Sequence, residues 1–209
     1  MIDDDADLPY GEDFHDPAVV AAWADAAART RPWRALLFDH FVAAATQAAA
    51  ARVLELGAGP GFLAEQILAR CPSVSHYALL DFSDPMLQLS RQRLARHAAR
   101  TRFVRADFKR ASWPALAGGP FDLIVSLQAV HELRHKRHAA QLLARARGLL
   151  APPGQLLVCD HLPEGALTPA HRRLYLSAGE YLLTLAEAGF RHAEVVWSAH
   201  DMALYRARA

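Results

Sequence analysis

Apolar positions recur at helical spacing in the first part of this chain and gather into short strand-like runs after it. Asp16-Pro17 reads as a helix start, an Asp cap followed by a Pro whose missing N–H costs nothing in the first turn. Val20, Trp23, Ala24 and Ala27 then share one face. A second start near Pro32 leads into Leu37, Phe41, Ala44 and Ala48 at the same spacing. From residue 52 the period changes. Arg52–Leu56 is a short apolar strand ending in glycines, and a helix follows from about Phe62 to Arg70. His76–Asp81 is a second strand, and Ser83-Asp84-Pro85 opens a helix to about Arg100. Residues 102–106 form a third strand and Phe121–Leu127 a fourth, almost wholly apolar. A helix over about 135–150 puts Leu142, Leu143, Ala146, Leu149 and Leu150 on one face until Pro152-Pro153-Gly154 breaks it. Residues 155–160 are a fifth strand.

Strands alternating with helices predict a parallel sheet covered on both faces. Right-handed crossovers bring the carboxyl ends of its strands to one edge, where ligands bind near the switch point. The last part differs. Thr168-Pro169 starts a helix with the stripe Leu174, Ala178, Tyr181, Leu182 and Leu185, ended by Gly189. Two strands follow, about 191–198 and 201–207, with only Ala199-His200 between them. That gap permits a hairpin and no parallel crossover. The expected fold is therefore α/β, a doubly wound mixed sheet of about seven strands with the last antiparallel. Residues 1–50 form a helical extension or lid, and 51–209 the ligand-binding domain.

Composition narrows the function classes. Hydrophobic residues make up 53% and charged residues 22%, a globular balance. The net charge is +1, so no general attraction to nucleic acid is expected. Cys71 and Cys159 form no C-x-x-C pair and no metal-ligand spacing, and read as buried thiols. Met1–Asp5 is acidic and unlike a secretory signal, and no apolar run approaches a membrane span. These features imply a cytoplasmic protein with neither membrane nor nucleic-acid partner. Lysine occurs only at Lys109 and Lys136 among many arginines and alanines, a bias of GC-rich bacterial genomes.

The sharpest motif is Glu55-Leu56-Gly57-Ala58-Gly59-Pro60-Gly61, after a strand and before a helix. Glycines there permit a tight turn and close ligand approach, and the helix start offers unpaired N–H groups. The dinucleotide fingerprint G-x-G-x-x-G fails, because its third glycine position is Phe62. The pattern G-x-G-x-G, with an acidic residue two positions before it, resembles the first motif of the class I S-adenosylmethionine-dependent methyltransferases. The resemblance runs over about residues 50–209. Asp81 ends the second strand and is followed by Phe82; Ala106-Asp107-Phe108 follows the third. Phe121-Asp122 opens the fourth strand, which runs out into Leu127-Gln128-Ala129-Val130-His131. The Pro-Pro-Gly break and the C-terminal hairpin are in order.

That resemblance implies a Rossmann-like fold and a transferase that moves a methyl group from S-adenosyl-L-methionine, leaving S-adenosyl-L-homocysteine. It implies that Gly57, Ala58, Gly59 and Gly61 cradle the methionine part and that Glu55 reaches its amino group. Asp81 would bind both ribose hydroxyls, with Phe82 on adenine and Met86 nearby. Asp107, with Phe108, would stand near the adenine amino group, or else cap a turn. Leu127 and Gln128 would pass beside the methionine moiety. His131 is the candidate base or acceptor ligand, with a loop histidine holding the backbone as the alternative. Glu132 reads as a helix cap. Tyr10, Phe14, Trp33 and Phe38 either line an acceptor pocket under the lid or anchor the leading helices.

His131-Glu132-Leu133-Arg134-His135 also spells H-E-x-x-H, the zinc-hydrolase pattern. That chemistry needs both histidines on one face of a continuous helix, whereas His131 falls at a strand end, so no metal is expected. The acceptor is expected to be a small molecule, since no N/D-P-P-Y/F tetrapeptide follows the fourth strand. A methyltransferase-like module without turnover is the alternative. Monomer and homodimer are both open.

Overall fold

The computed structural model describes residues 6–31 and 33–209. The acidic start Met1–Asp5 and Pro32 lie outside the described residues. Two helices lead, α1 (Pro17–Thr30) and α2 (Arg34–Gln47). Asp16 caps α1, accepting from the Ala18 amide at 2.7 Å. The rest alternates: β1 (Arg52–Leu56), α3 (Phe62–Arg70), β2 (His76–Asp81), α4 (Asp84–Arg93), β3 (Thr101–Arg105), α5 (Trp113–Ala117), β4 (Phe121–Leu127), α6 (Ala139–Gly148) and β5 (Leu150–His161). Helix α7 (Ala178–Glu187) and the hairpin β6 (His192–Ala199) and β7 (Met202–Arg208) complete it.

The seven strands lie in the order β3-β2-β1-β4-β5-β7-β6. β7 runs antiparallel to both its neighbours, so it is the strand that reverses, and it lies inside β6. The chain winds outward from β1 in both directions, which opens the switch point between β1 and β4. Alternate strand residues feed two cores. Val53, Leu123, Val125, Leu157 and Leu204 pack with Leu37 and Phe41 of α2 and Leu63 and Ile67 of α3. Leu54, Leu56, Ile124, Leu156 and Tyr205 pack with Trp113, with Leu142 and Leu143 of α6, and with Tyr181 and Leu185 of α7. Burial on both faces explains why the strands read as continuous apolar runs.

Several boundaries differ from the pattern, each for a local reason. The helix after Ser83 stops at Arg93, and 95–100 tightens into a 3-10 turn. α6 starts at Ala139, not 135, because Arg134 is left-handed (φ 66) and His135 extended (φ −161). β5 begins at Leu150 and includes Pro152-Pro153-Gly154; its register with β4 shifts between Phe121 and Leu123, where the prolines have no N–H to offer. α7 begins at Ala178, not at Thr168-Pro169. Ser177 accepts from the Glu180 amide while Glu180 accepts from the Ser177 amide, a capping box that the apolar stripe conceals. The hairpin turns on His200 and Asp201, one residue later than expected, both left-handed (φ 54 and 53). α5 was not predicted. No helix among the described residues is long and apolar enough to cross a membrane.

Candidate cofactor and acceptor site

The carboxyl ends of β1, β2 and β4 open on a cleft of about 710 Å3, part of it open to solvent. Its floor is the loop after β1. Gly57 and Ala58 donate to the Leu80 carbonyl at 2.9 and 3.1 Å, which ties the loop to β2. Gly57 is left-handed (φ 69), and a Cβ there would stand 2.2 Å from the Ala129 Cβ. Gly59 is also left-handed (φ 54), but a Cβ on it would meet nothing within 4 Å. Its free side faces room that a ligand can use. Gly61 lies outside the cleft lining; a Cβ there would press on Ser90 of α4, so its smallness serves helix packing.

Two buried carboxylates face this cleft, and among the described residues no basic side chain is paired to either. Asp81 accepts from the Gly59 amide at 2.8 Å and the Ser83 amide at 2.9 Å. Burial pushes its pKa up to about 6, against the pull of those amides. Glu55 accepts from the Tyr77 hydroxyl at 2.7 Å. Burial raises it to about 8, the Tyr77 hydroxyl lowers it, and the charge of Asp81 raises it further. Arg52 does not pair with Glu55; it donates to the Pro120 carbonyl. Phe82, Met86, Phe108, Leu127 and Gln128 also line the cleft, with Ala58 beside the glycines. Asp107 does not: it accepts from the Lys109 amide at 2.8 Å, a turn cap, while its neighbour Phe108 faces in.

The leading segment closes the other side. Phe14, Trp23 and Arg34 line the cleft. Phe14 meets Trp23 and Phe82 edge-on, and its carbonyl accepts from the Ser83 hydroxyl at 2.5 Å. Tyr10 is outside the lining; its ring lies 5.8 Å from Phe82 and 5.3 Å from the Arg134 guanidinium. Trp33 is also elsewhere, stacked on His200 at the β6–β7 turn with centroids 5.4 Å apart. It anchors α2 on the hairpin and does not reach the cleft.

Beyond Gln128 the character changes. Gln128 is itself left-handed (φ 54), an uncommon backbone for a residue with a Cβ. His131 is part of the 3-10 turn Val130–Leu133 that follows, and it lies outside the cleft lining. Its Nδ1 lies 2.7 Å from Asp160 and its Nε2 3.2 Å from Glu132. Asp160 also accepts from the His131 and His161 amides. Burial lowers the His131 pKa, but the two carboxylates outweigh it and lift it to about 10. Asp160 and Glu132 are correspondingly held below the usual carboxylate range despite burial. An imidazole held this way carries its charge at neutral pH and has no free lone pair. It can accept a proton only after it has first given one up. Glu132 does not cap a helix; it faces the cleft and bonds His131 and Arg134.

The H-E-x-x-H run does not build a zinc-hydrolase helix, since Arg134 and His135 break it. Among the described residues, the group of possible metal ligands that forms instead is His131, Asp160 and His161, within 4.8 Å of one another. The sequence reading missed Asp160, although it stands one residue before the end of β5, much as Asp81 ends β2. It also missed Arg34, which nothing in the local pattern distinguishes from its neighbours Arg29 and Arg31.

Residues 53–154 match the Methyltransferase domain family. The chain is 34% identical over 133 residues to an uncharacterised methyltransferase of Mycobacterium bovis, covering 61% of this chain and 60% of that one. It is 36% identical over 152 residues to a trans-aconitate 2-methyltransferase of Methylobacterium nodulans, covering 73% and 52%. The chain thus spans little more than half the length of these relatives. Human N-acetylserotonin methyltransferase, solved in complex with SAM, superposes with a TM-score of 0.71 at 18% identity, over 96% of this chain and 60% of that one. At that identity the likeness speaks for the fold. Fold, loop geometry and relatives agree: the chain belongs to the class I S-adenosylmethionine-dependent methyltransferases.

Proposed function

We propose that this protein transfers a methyl group from S-adenosylmethionine to a small-molecule acceptor. The observation that carries the reading is the cleft itself: glycines, two unpaired buried carboxylates and apolar walls meet at one switch point. The residues fit the cofactor on chemistry. Asp81 keeps lone pairs for two hydroxyl donors beyond the amides it already accepts, which suits a ribose diol. Glu55 would take the amino group, and the open side of Gly59 leaves room for the methionine chain. Phe82 and Met86 would flank adenine. When bound, the cofactor supplies a methyl group on an electron-poor sulfur.

What the chain adds is placement. Holding acceptor and donor in line supplies much of the acceleration for a displacement on an activated centre. Helices α1 and α2, with Phe14, would act as a lid that shields the cleft from water. An acceptor would lie by Leu127, Gln128 and Glu132, where the carboxyl ends of β4 and β5 meet. His131 would hold Glu132 in place from behind and would serve as a base only after that contact opens. A relative named for a small molecule, trans-aconitate, supports an acceptor of that size here.

Titration calorimetry with S-adenosylhomocysteine tests the reading. Wild type binds, and Asp81→Ala weakens binding by about 10- to 100-fold, the worth of hydrogen bonds to a charged group. No binding at millimolar ligand rejects the cofactor; unchanged affinity in Asp81→Ala rejects the ribose assignment.

A further inference from the structure

Residues 7–14 run from the turn after β4 to the start of α4, past three residues of the cleft wall: Glu132, Phe82 and Phe14 itself. At one end the Leu8 amide donates to the Arg134 carbonyl at 2.9 Å. The Arg134 guanidinium donates back to the Leu8 carbonyl at 3.2 Å and to the Pro9 carbonyl. Beside this clamp the Asp7 carboxylate lies 3.4 Å from Lys109, 3.1 Å from Arg137 and 2.7 Å from the His138 imidazole. At the other end the Phe14 carbonyl accepts from Ser83, the N-cap of α4. Between these ends the Tyr10 hydroxyl lies 3.5 Å from the Glu132 carbonyl. The Tyr10 and Phe14 rings stand 5.8 and 6.4 Å from Phe82, and His15 follows at 5.5 Å. The segment thus bridges the β2 and β4 edges of the opening and covers its Phe82 end.

Little apolar burial keeps this segment shut. Asp7 and residues 9–13 are exposed, and only Leu8 and Phe14 are partly covered. Among the described residues, the one backbone hydrogen bond made by residues 7–12 is that of Leu8. Exposed ion pairs are worth little singly, and segments with few buried contacts open first. The receiving side is different. Arg134 is 8% exposed and left-handed (φ 66), an uncommon backbone for a residue with a Cβ. A backbone held in that region marks a constrained position, and here it aims the guanidinium at the segment. The same guanidinium lies 3.4 Å from the Glu132 carboxylate, so the clamp touches the cleft wall as well. We propose that residues 7–14 are a strap that unlatches to let S-adenosylmethionine in and S-adenosylhomocysteine out, with Arg134 and the Asp7 cluster as its catch. This rests on the methyltransferase reading and adds how that site opens and closes. α1 and α2 stay in place while the chain before them swings. The catch, and not the contacts of the cleft, then sets the rate of cofactor exchange.

The test is stopped-flow binding of S-adenosylhomocysteine to the full chain. It is followed by tryptophan fluorescence, since Trp23 lines the cleft and meets Phe14 edge-on. The ligand carries no net charge near neutral pH, so salt acts on the catch. Wild type exchanges slowly at low salt, and its association and dissociation rates both rise about 3- to 10-fold as salt screens Asp7. Asp7→Asn, a surface change that leaves the fold intact, is fast already at low salt and loses the salt response. Arg134→Gly, which suits a left-handed backbone, raises both rates by about 10-fold or more. The dissociation constant moves less than either rate, because an open catch helps entry and exit alike. Rates in both variants equal to those of wild type at low salt overturn the proposal. So does faster dissociation with unchanged association, which would make the segment a fixed wall of the site. No binding to wild type at millimolar ligand overturns the cofactor reading and the strap with it. Normal binding at rates that ignore the catch overturns the strap alone.

Discussion

On the β1–β2 side of the cleft, Glu55 and Asp81 are buried carboxylates that meet only a hydroxyl and backbone amides, and their pKa values are raised to about 8 and about 6. On the β4–β5 side, buried Asp160 and partly buried Glu132 share His131 between them, and theirs are lowered. Burial is common to both; the difference is whether the protein supplies the counter-charge. Where it does, charge is spent on holding the turn after β4 to the end of β5. Where it does not, the group is left for something that arrives, and Arg34 belongs to that second class. In this cleft the groups raised by burial without a counter-charge are the candidate binding groups, and the matched set around His131 is the candidate brace.

The largest effect expected from this contrast is on the brace. Asp160→Asn leaves a buried imidazolium without its main partner and lowers stability by about 3–5 kcal/mol, read from urea unfolding. A loss no greater than that of a surface substitution would show the network to be ornamental. On the other side, Gly57→Ala forces a Cβ onto Ala129 in a left-handed backbone and costs about 2–3 kcal/mol, with loss of S-adenosylhomocysteine binding. Wild-type binding by this variant would mean that the loop relaxes freely.

pH separates the two sides more finely. The folded-state pKa of His131, about 10, lies above its ordinary 6.5, so its contribution to stability is complete below pH 6.5 and lost as pH rises through 10. The urea midpoint of wild type therefore falls across that window, and His131→Gln flattens the fall. Glu55 is raised from 4.5 to about 8, so the folded state binds the extra proton and stability declines as pH rises through 4.5 to 8. Glu55→Gln removes that slope. The smallest signal is in binding. At pH 7 unliganded Glu55 holds its proton, and a cation beside it expels a fraction of it. Calorimetry in buffers of different ionisation heat then shows proton release on wild type and none on Glu55→Gln; equal release would remove Glu55 from the ammonium site.

Legibility in the sequence follows the same division. The strands were readable because burial on both faces writes them as apolar runs, and each motif of the cofactor half lies within one strand–loop unit: Glu55 to Gly61, Asp81 and Phe82. Asp107 was on the right loop, but its side chain was taken by its own turn. Gly61 was in the right motif, yet its constraint comes from Ser90, 29 positions away. His131 was singled out by position alone. Its partner Asp160 comes from another strand, and without that partner its charge state could not be read. The helix over 135–150 failed at its start because short 3-10 turns and a left-handed Arg134 leave no periodic trace.

Local sequence determined the order of elements, the glycine loop and the acids at the strand ends, since each depends on neighbours a few residues away. The tertiary structure decided which buried charges are paired and which are left open, because that depends on groups that approach from other strands and from α2. It set Arg34 beside Gln128, 94 residues distant, and His131 beside Asp160, 29 residues distant. Charge compensation in a low-dielectric interior acts over a few ångströms of space and has no counterpart in sequence spacing.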